Sequence, residues 1–137
     1  MLNDRLRHPY QTMAFHFSDE RPVLLKHAVH EISDPPIYDM HFAFELGVVL
    51  TGRMVREYQR MKLDVGAGEA WLTGIWEPHG FHLKETPCEV LVFIISPTFL
   101  STADRPYYNW TEGFMLPPRN RPQVPARRRA EVLRVVR

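Results

Sequence analysis

The chain has 137 residues, of which 45% are hydrophobic and 12% aromatic, enough for one compact domain that buries about two thirds of its unfolded surface. Lysine and arginine number 17 against 16 aspartates and glutamates. This balance excludes both a highly charged disordered chain and a uniformly basic nucleic-acid binder.

The cysteine count and the length of the apolar runs indicate the cellular environment of the protein. Cys88 is the single cysteine, which excludes a disulfide framework, a zinc ribbon and an iron–sulfur cluster and fits a reducing cytoplasm. The longest apolar stretch, around residues 90–95, is far shorter than the ~20 residues of a membrane-spanning helix. The N-terminus also lacks the apolar core of a signal peptide. We therefore expect a soluble cytoplasmic protein with no membrane contact.

Short runs of β-branched and aromatic residues recur between turn formers along the first part of the chain. They predict strands at 11–17, 23–32, 41–50, 54–58, 61–65, 70–75, 81–84 and 89–95. Thr51-Gly52-Arg53 predicts a tight hairpin turn, because glycine supplies a positive φ between two apolar runs. Many short strands without intervening helices favour an antiparallel sandwich or barrel.

The pattern changes after the last predicted strand. Pro97–Thr102 predicts a short helical turn, since proline is tolerated at the first helical position. Residues 105–125 are rich in proline and are expected to run extended over the surface. Residues 126–137 are good helix formers and carry much of the positive charge, because 119–137 hold 7 basic side chains and 1 acidic one. No residue type that ends helices follows Val136, so we expect the natural chain to continue beyond Arg137.

The segment 39–48 combines two different faces. Because side chains alternate along a strand, Asp39, His41 and Glu45 share one side with the small residues Ala43 and Gly47. Phe42, Phe44, Leu46 and Val48 share the other side, which is suited to packing. The first side predicts a spacious cavity with polar walls. The alternative is that His41 and Glu45 only hydrogen-bond to each other or to neighbouring strands inside a closed β-structure.

A second region favours the cavity. The turn Pro78-His79-Gly80 delivers His79 to the start of a strand, where it would complete a set of two histidines and one carboxylate beside His41 and Glu45. Such a set can hold a divalent ion. His79 and His82 lie on opposite faces of a regular strand, so at most one of them is expected to face the cavity.

These residues resemble a known family. His41, Glu45 and Gly52 match the first motif of the cupin barrel, and Gly68 through Pro78-His79 matches the second. Over residues 20–100, including Glu89-Val-Leu-Val-Phe-Ile-Ile-Ser-Pro-Thr-Phe-Leu100, the sequence resembles the effector-binding domain of AraC-type transcription regulators. The resemblance implies a mainly β cupin (double-stranded β-helix or jelly-roll) barrel that binds a small molecule. It also implies dimerising helices and a separate DNA-binding domain, which this sequence lacks.

The resemblance also implies how the chain is divided and what it binds. We expect a cupin effector-binding barrel at 1–104, an extended proline-rich segment at 105–125, and the start of a dimerisation or linker helix at 126–137. The partners are a small-molecule effector, a second copy of the chain, and DNA only through the absent C-terminal domain. No catalytic residue is predicted. The rival interpretation is a stand-alone cupin metalloenzyme such as a dioxygenase or isomerase, and a purely structural barrel is disfavoured by the polar face.

The predicted ligand-binding residues are Asp39, His41, Glu45, His79, Trp71 and Trp76. No cofactor is required, but a divalent metal ion, if bound, would be held by His41, Glu45 and His79. Asp39 stands where the full cupin motif has its first histidine. Aspartate can also ligate a divalent metal, and AraC-like barrels often function without one.

Overall fold

The computed structural model describes residues 10–32 and 38–137. Its elements, in chain order, are β1 (Tyr10–Met13), β2 (Val23–His30), β3 (Tyr38–His41), β4 (Phe44–Tyr58), β5 (Lys62–Gly66), β6 (Ala70–Thr73), β7 (His79–Ile95), α1 (Pro97–Thr102), α2 (Trp110–Met115) and α3 (Arg129–Val136). Short 3₁₀ turns occupy Pro118–Asn120 and Ala126–Arg128. The mainly β fold class is as predicted. Residues 1–9 and 33–37 of the predicted barrel lie outside the described residues.

The strands form one seven-stranded sheet in the order β1-β3-β7-β4-β5, with β2 also pairing with β7 and β6 with β4. The long strands β4 and β7 run antiparallel along almost their whole length. β5 and β6 pair with opposite ends of β4. The β1–β3 pair is parallel, so the sheet is mixed and the antiparallel arrangement predicted from the sequence does not extend to this pair.

The predicted hairpin turn at residues 51–53 is also wrong. β4 continues through this point, and Thr51 and Arg53 still pair with Glu89 and Glu85 of β7. The positive φ of Gly52, 78°, instead serves an irregularity in the ladder between Val49 and Met54. A bulge of this kind shifts the alternation of side chains. β7 likewise joins the two strands predicted at 81–84 and 89–95.

The bulge decides which β4 side chains face inward. Before it, the odd-numbered Glu45 and Val49 face the interior, and after it the even-numbered Met54 and Arg56 do so. The interior cluster of buried apolar side chains comprises Val49, Met54, Val65, Trp71, Cys88 and Val90. A second cluster on the opposite face of β4, comprising Phe44, Ile95, Leu100 and Phe114, packs the sheet against α1 and α2.

The C-terminal part corrects the prediction of an extended segment at 105–125. The helix at Pro97–Thr102 is confirmed, but α2 forms inside the segment predicted to be extended. The side chain of Asn109 caps α2 by accepting the N–H of Glu112 at 3.0 Å, and Asp104 accepts the N–H of Trp110 at 2.7 Å. The prolines flank this helix and do not interrupt it. The helix predicted from 126 is a 3₁₀ turn that leads into α3. In the part of the chain that is described, no helix is long and apolar enough to cross a membrane.

Candidate functional site

Three strand ends bring the predicted triad together. His41 ends β3, Glu45 lies at the start of β4, and His79 begins β7. The Nε2 atoms of His41 and His79 lie 3.3 Å and 3.1 Å from Oε2 of Glu45. All three side chains are buried, with 2%, 5% and 4% of the surface of His41, Glu45 and His79 exposed. Their potential ligand atoms lie within 4.8 Å of one another.

The other ring nitrogen of each histidine is fixed by the backbone. Nδ1 of His41 lies 3.1 Å from the carbonyl oxygen of Ala43, and Nδ1 of His79 lies 2.8 Å from that of Glu77. A carbonyl oxygen only accepts, so each Nδ1 must carry the hydrogen. Each Nε2 then faces Oε2 of Glu45 either as a protonated imidazolium or with its lone pair. The triad therefore needs protons or a cation among its three acceptor atoms.

The second carboxylate oxygen of Glu45 is held by two further side chains. Nε1 of Trp71 donates to Oε1 at 2.9 Å, and Nη2 of Arg56 donates to it at 3.3 Å. The guanidinium of Arg56 stacks on the Trp71 ring, 4.4 Å from its centroid. Burial acts to raise the pKa of Glu45, but the opposing effect of the Arg56 charge and of hydrogen bonds from His41 and His79 holds that pKa well below its usual value.

The triad faces an internal cavity of about 150 Å³. Its lining includes Asp39, His41, Glu45, Arg56, Trp71, His79 and Phe81. The expected space above Gly47 is not part of it, because the Trp71 indole lies directly on this glycine and a Cβ there would come within 1.9 Å of the ring. The cavity is small because the large side chains Trp71, Arg56 and Phe81 fill much of the interior.

Comparisons with known proteins address the fold. No protein-family model matches the sequence, and no curated protein matches it. A cupin superfamily protein from Desulfitobacterium hafniense is similar in structure, with a TM-score of 0.51, 18% identity, and coverage of 61% of this chain and 74% of that one. The chain has a cupin fold.

Other similar structures include both regulators and enzymes. The AraC-like transcriptional activator CuxR aligns with a TM-score of 0.39 and 18% identity over 44% of this chain and 22% of its own. A variant of the Bacillus subtilis oxalate decarboxylase aligns with a TM-score of 0.46 and 18% identity over 60% of this chain and 23% of its own. This chain covers less than a quarter of the length of each of these two proteins.

Five of the six predicted ligand-binding residues meet at the cavity. His41, Glu45 and His79 form the triad, Trp71 donates to Glu45, and Asp39 pairs with His79 in the β3–β7 register and lines the cavity. The sixth, Trp76, lies elsewhere. It is 51% exposed, and its ring is tilted against that of Phe42, with 6.0 Å between the centroids. Trp76 has a positive φ of 54° in the turn before β7.

Arg56 is the site residue that sequence analysis missed. The sequence offered little signal, since Arg56 is followed by Glu57 and resembles a solvent-exposed position of the strand predicted at 54–58. If the chain turned at Gly52, the alternation of side chains in the following strand would give no reason to place Arg56 beside Glu45. Only the bulge in β4 brings the two together across 11 residues.

The triad is a potential divalent metal site on chemical grounds. Two imidazole nitrogens and one carboxylate oxygen are ligands that suit zinc, iron, cobalt and nickel. Metal-ligating histidines usually donate their other ring N–H to a carbonyl or carboxylate, which both His41 and His79 do. Of the predicted ligands, Asp39 stands outside the group whose donor atoms converge.

Proposed function

We propose that this cupin is the small-molecule-sensing domain of an AraC-type transcription regulator. In this proposal an effector binds in the internal cavity, and its binding is coupled to dimerisation and to DNA binding by a domain outside this sequence. The proposal rests on the motif resemblance over residues 20–100 together with one observation, the polar cluster around Glu45 inside the barrel.

The cluster favours a binding site over a purely structural core. Burying charged groups costs free energy that well-packed apolar residues would not cost, yet at most 5% of the surface of each of Arg56, Glu45, His41 and His79 is exposed. Nε of Arg56 has no hydrogen-bond partner among the described residues, and a buried donor left unpaired costs about 1–3 kcal/mol. A bound ligand oxygen would accept a hydrogen bond from such a donor and would offset the cost of burying it.

The cavity also limits the effector. A volume of about 150 Å³ corresponds to roughly five water molecules at the volume each occupies in the liquid. The cationic side chains that line it are Arg56 and Lys26. We therefore expect a small effector with an anionic or strongly accepting oxygen, held by Arg56 at one end and by the triad at the other.

The test is a ligand screen with two readouts. Small carboxylates, phosphates and polyols are added to the protein with and without a chelator, and the melting temperature and the sedimentation coefficient are measured. An effector at 100 times its Kd stabilises the native state by about 2.7 kcal/mol and is expected to shift the monomer–dimer equilibrium. Arg56→Gln should abolish both responses, whereas the exposed His27→Gln should retain them. Ligands that bind without changing the association state would contradict the sensing role.

A metal-dependent cupin enzyme is the second candidate, and the histidine geometry favours it. With both Nδ1 atoms donating to carbonyls, the two Nε2 lone pairs and Oε2 of Glu45 are arranged to meet a cation. A divalent ion held by His41, Glu45 and His79 would supply a Lewis acid to an oxygen of a substrate. A metal that copurifies in stoichiometric amount, with a turnover abolished by His79→Ala, would favour this candidate over the sensor.

A further inference from the structure

Arg121, far from the triad in sequence, holds the C-terminal segment against the barrel. Its side chain is buried, and its Nη1 and Nη2 donate to the two carboxylate oxygens of Glu77 at 2.6 Å and 2.7 Å. Nη1 also donates to the carbonyl of Leu72 at 2.8 Å, and Nε donates to that of Leu116 at 2.9 Å. One guanidinium thus ties together β6, the turn before β7 and the end of α2.

The turn that Arg121 clamps supports both histidines of the triad. The backbone carbonyl of Glu77 accepts the hydrogen of Nδ1 in His79 at 2.8 Å. One residue earlier, the N–H of Trp76 donates to the carbonyl of His41 at 2.9 Å. The carboxylate of Glu77 closes the turn by accepting the N–H of Gly74 at 3.2 Å. Residues 74–79 therefore orient the ring of His79 and hold the backbone of His41. The side chain of Glu77 fixes this turn to Arg121.

We propose that Arg121 is a positioning residue that couples the C-terminal segment to the triad through Glu77. When the segment is docked, the clamp holds the turn at 74–79 and with it the orientation of His79. By linkage, an ion or ligand that needs this orientation must in turn stabilise docking of the segment. A regulatory role for this coupling rests on the proposed sensing function. The coupling between the C-terminal segment and the triad can itself be measured without an effector.

The clamp depends on the shape of arginine as well as on its charge. Bidentate pairing with a carboxylate uses the planar fork of the guanidinium, which a lysine ammonium lacks. Here the same group also satisfies two carbonyls, so a lysine would keep the charge and lose most of these bonds. The clamp lies 8 residues before Arg129, the first residue of α3, so the clamped segment leads to this helix.

The experiment uses Co²⁺ alone as the probe, with no effector present. Isothermal titration calorimetry measures Co²⁺ affinity for the intact chain and for Arg121→Met, Arg121→Lys, Glu77→Gln and the control Arg119→Met, which alters an exposed arginine of the same segment. Loss of groups that orient metal-ligating histidines typically weakens metal binding 10–100-fold. We expect about tenfold weaker binding for Arg121→Met and Glu77→Gln, a smaller loss for Arg121→Lys, and a change of less than about twofold for Arg119→Met.

Hydrogen exchange supplies the second readout. In the unmodified chain, Co²⁺ should slow amide exchange in residues 110–128, and in Arg121→Met and Glu77→Gln this effect of the ion should be lost. A merely structural role would speed exchange in the segment equally with and without Co²⁺, with unchanged affinity, and would overturn the proposal. If Arg121→Met does not fold, Glu77→Gln and Arg121→Lys decide the matter by the same criteria. Absence of Co²⁺ binding to the unmodified chain would also overturn this proposal while leaving the sensing function to the effector screen.

Discussion

Replacing Gly47 by alanine tests whether the Trp71 indole is fixed over the sheet. An added Cβ would lie 1.9 Å, 2.1 Å and 2.3 Å from Cζ2, Cε2 and Cη2 of Trp71, whereas carbon atoms in contact are normally about 3.5 Å apart. The indole must therefore move by about 1.5 Å. Its Nε1 is bound to Glu45 at 2.9 Å and its face is covered by Arg56, so it has little freedom to do so.

The expected destabilisation combines two contributions. Overpacking in a filled core costs about 1–3 kcal/mol, and loss of a hydrogen bond to a charged group about 1.5–3 kcal/mol. Gly47→Ala should therefore lower the free energy of unfolding by about 3–5 kcal/mol and the melting temperature by about 10–15 °C. Circular dichroism and tryptophan fluorescence during chemical denaturation measure both values.

The matched control is Gly113→Ala in α2. A Cβ at Gly113 would meet its nearest neighbours at 3.9 Å, an ordinary contact. Alanine is also favoured over glycine in a helix, so this variant should be neutral or slightly stabilising. A Gly47→Ala protein within 1 kcal/mol of the unmodified chain would refute the packing of Trp71 on the β4 backbone, and with it the account of how Glu45 is held.

Three further outcomes follow from the site and from the bulge in β4. The pKa of Glu45 is lowered in the folded state from its ordinary 4.5, so ionised Glu45 stabilises the fold above pH 4.5, and this stabilisation is lost as the pH falls through the folded-state pKa. Acid denaturation followed by circular dichroism should therefore show a shallower pH dependence of stability for Glu45→Gln than for the unmodified chain. Gly52→Ala should destabilise by about 2–4 kcal/mol in urea, since φ is 78° and a Cβ would lie 2.4 Å from the carbonyl oxygen of Pro87; a loss below 1 kcal/mol would contradict the bulge. Saturating Co²⁺ should raise the melting temperature of the unmodified chain by several degrees and leave that of His79→Ala unchanged. If Co²⁺ raised both melting temperatures equally, the ion would bind at a site that does not include His79.

The triad could be predicted from the sequence because it depends on local rules. Strand alternation put His41 and Glu45 on one side, and the Pro78-His79-Gly80 turn put His79 at a strand start. Both inferences use only the period of a strand and the position of a turn. The structure brings the three side chains together, but His41 and Glu45 belong to different strands, and His79 reaches them through the pairing of β7 with β3.

Arg56 and Trp76 were not predictable in the same way. Residue 56 faces Glu45 only because an irregularity shifts the alternation within β4, and a glycine between apolar runs is equally compatible with a hairpin turn. Trp76 lies outside the cavity lining, and its backbone adopts a positive φ, which is rare for a bulky residue and leaves no trace in the pattern of the sequence. Both errors come from single backbone conformations that the hydrophobic pattern does not record.

The α2 helix shows a third kind of limit. Composition over 105–125 is dominated by proline, which predicts an extended path, but the six helical residues lie between the prolines. The capping signal was visible, since Asn109 precedes Glu112 by three residues, as in an N-terminal cap. This small helix places Phe114 in the cluster behind β4 and leads to Arg121. The part of the chain with the least regular sequence thus carries the residue that ties the C-terminal segment to the turn behind His79.

The charges of the side chains inside the barrel limit what the cavity can bind. With neutral histidines, Arg56 and Glu45 cancel, but two Nε2 lone pairs then face a carboxylate oxygen without a cation between them. With both histidines protonated, the cluster carries a net charge of about +2, which is costly inside a protein unless an anion enters. In the first case a divalent metal supplies the missing cation but brings the net charge to about +2, so it needs an anionic ligand as well. In the second case an anionic effector alone lowers the charge. The effector screen with and without a chelator separates these two solutions, because a metal-dependent ligand loses its stabilising effect when the chelator is present and a ligand of the protonated site does not.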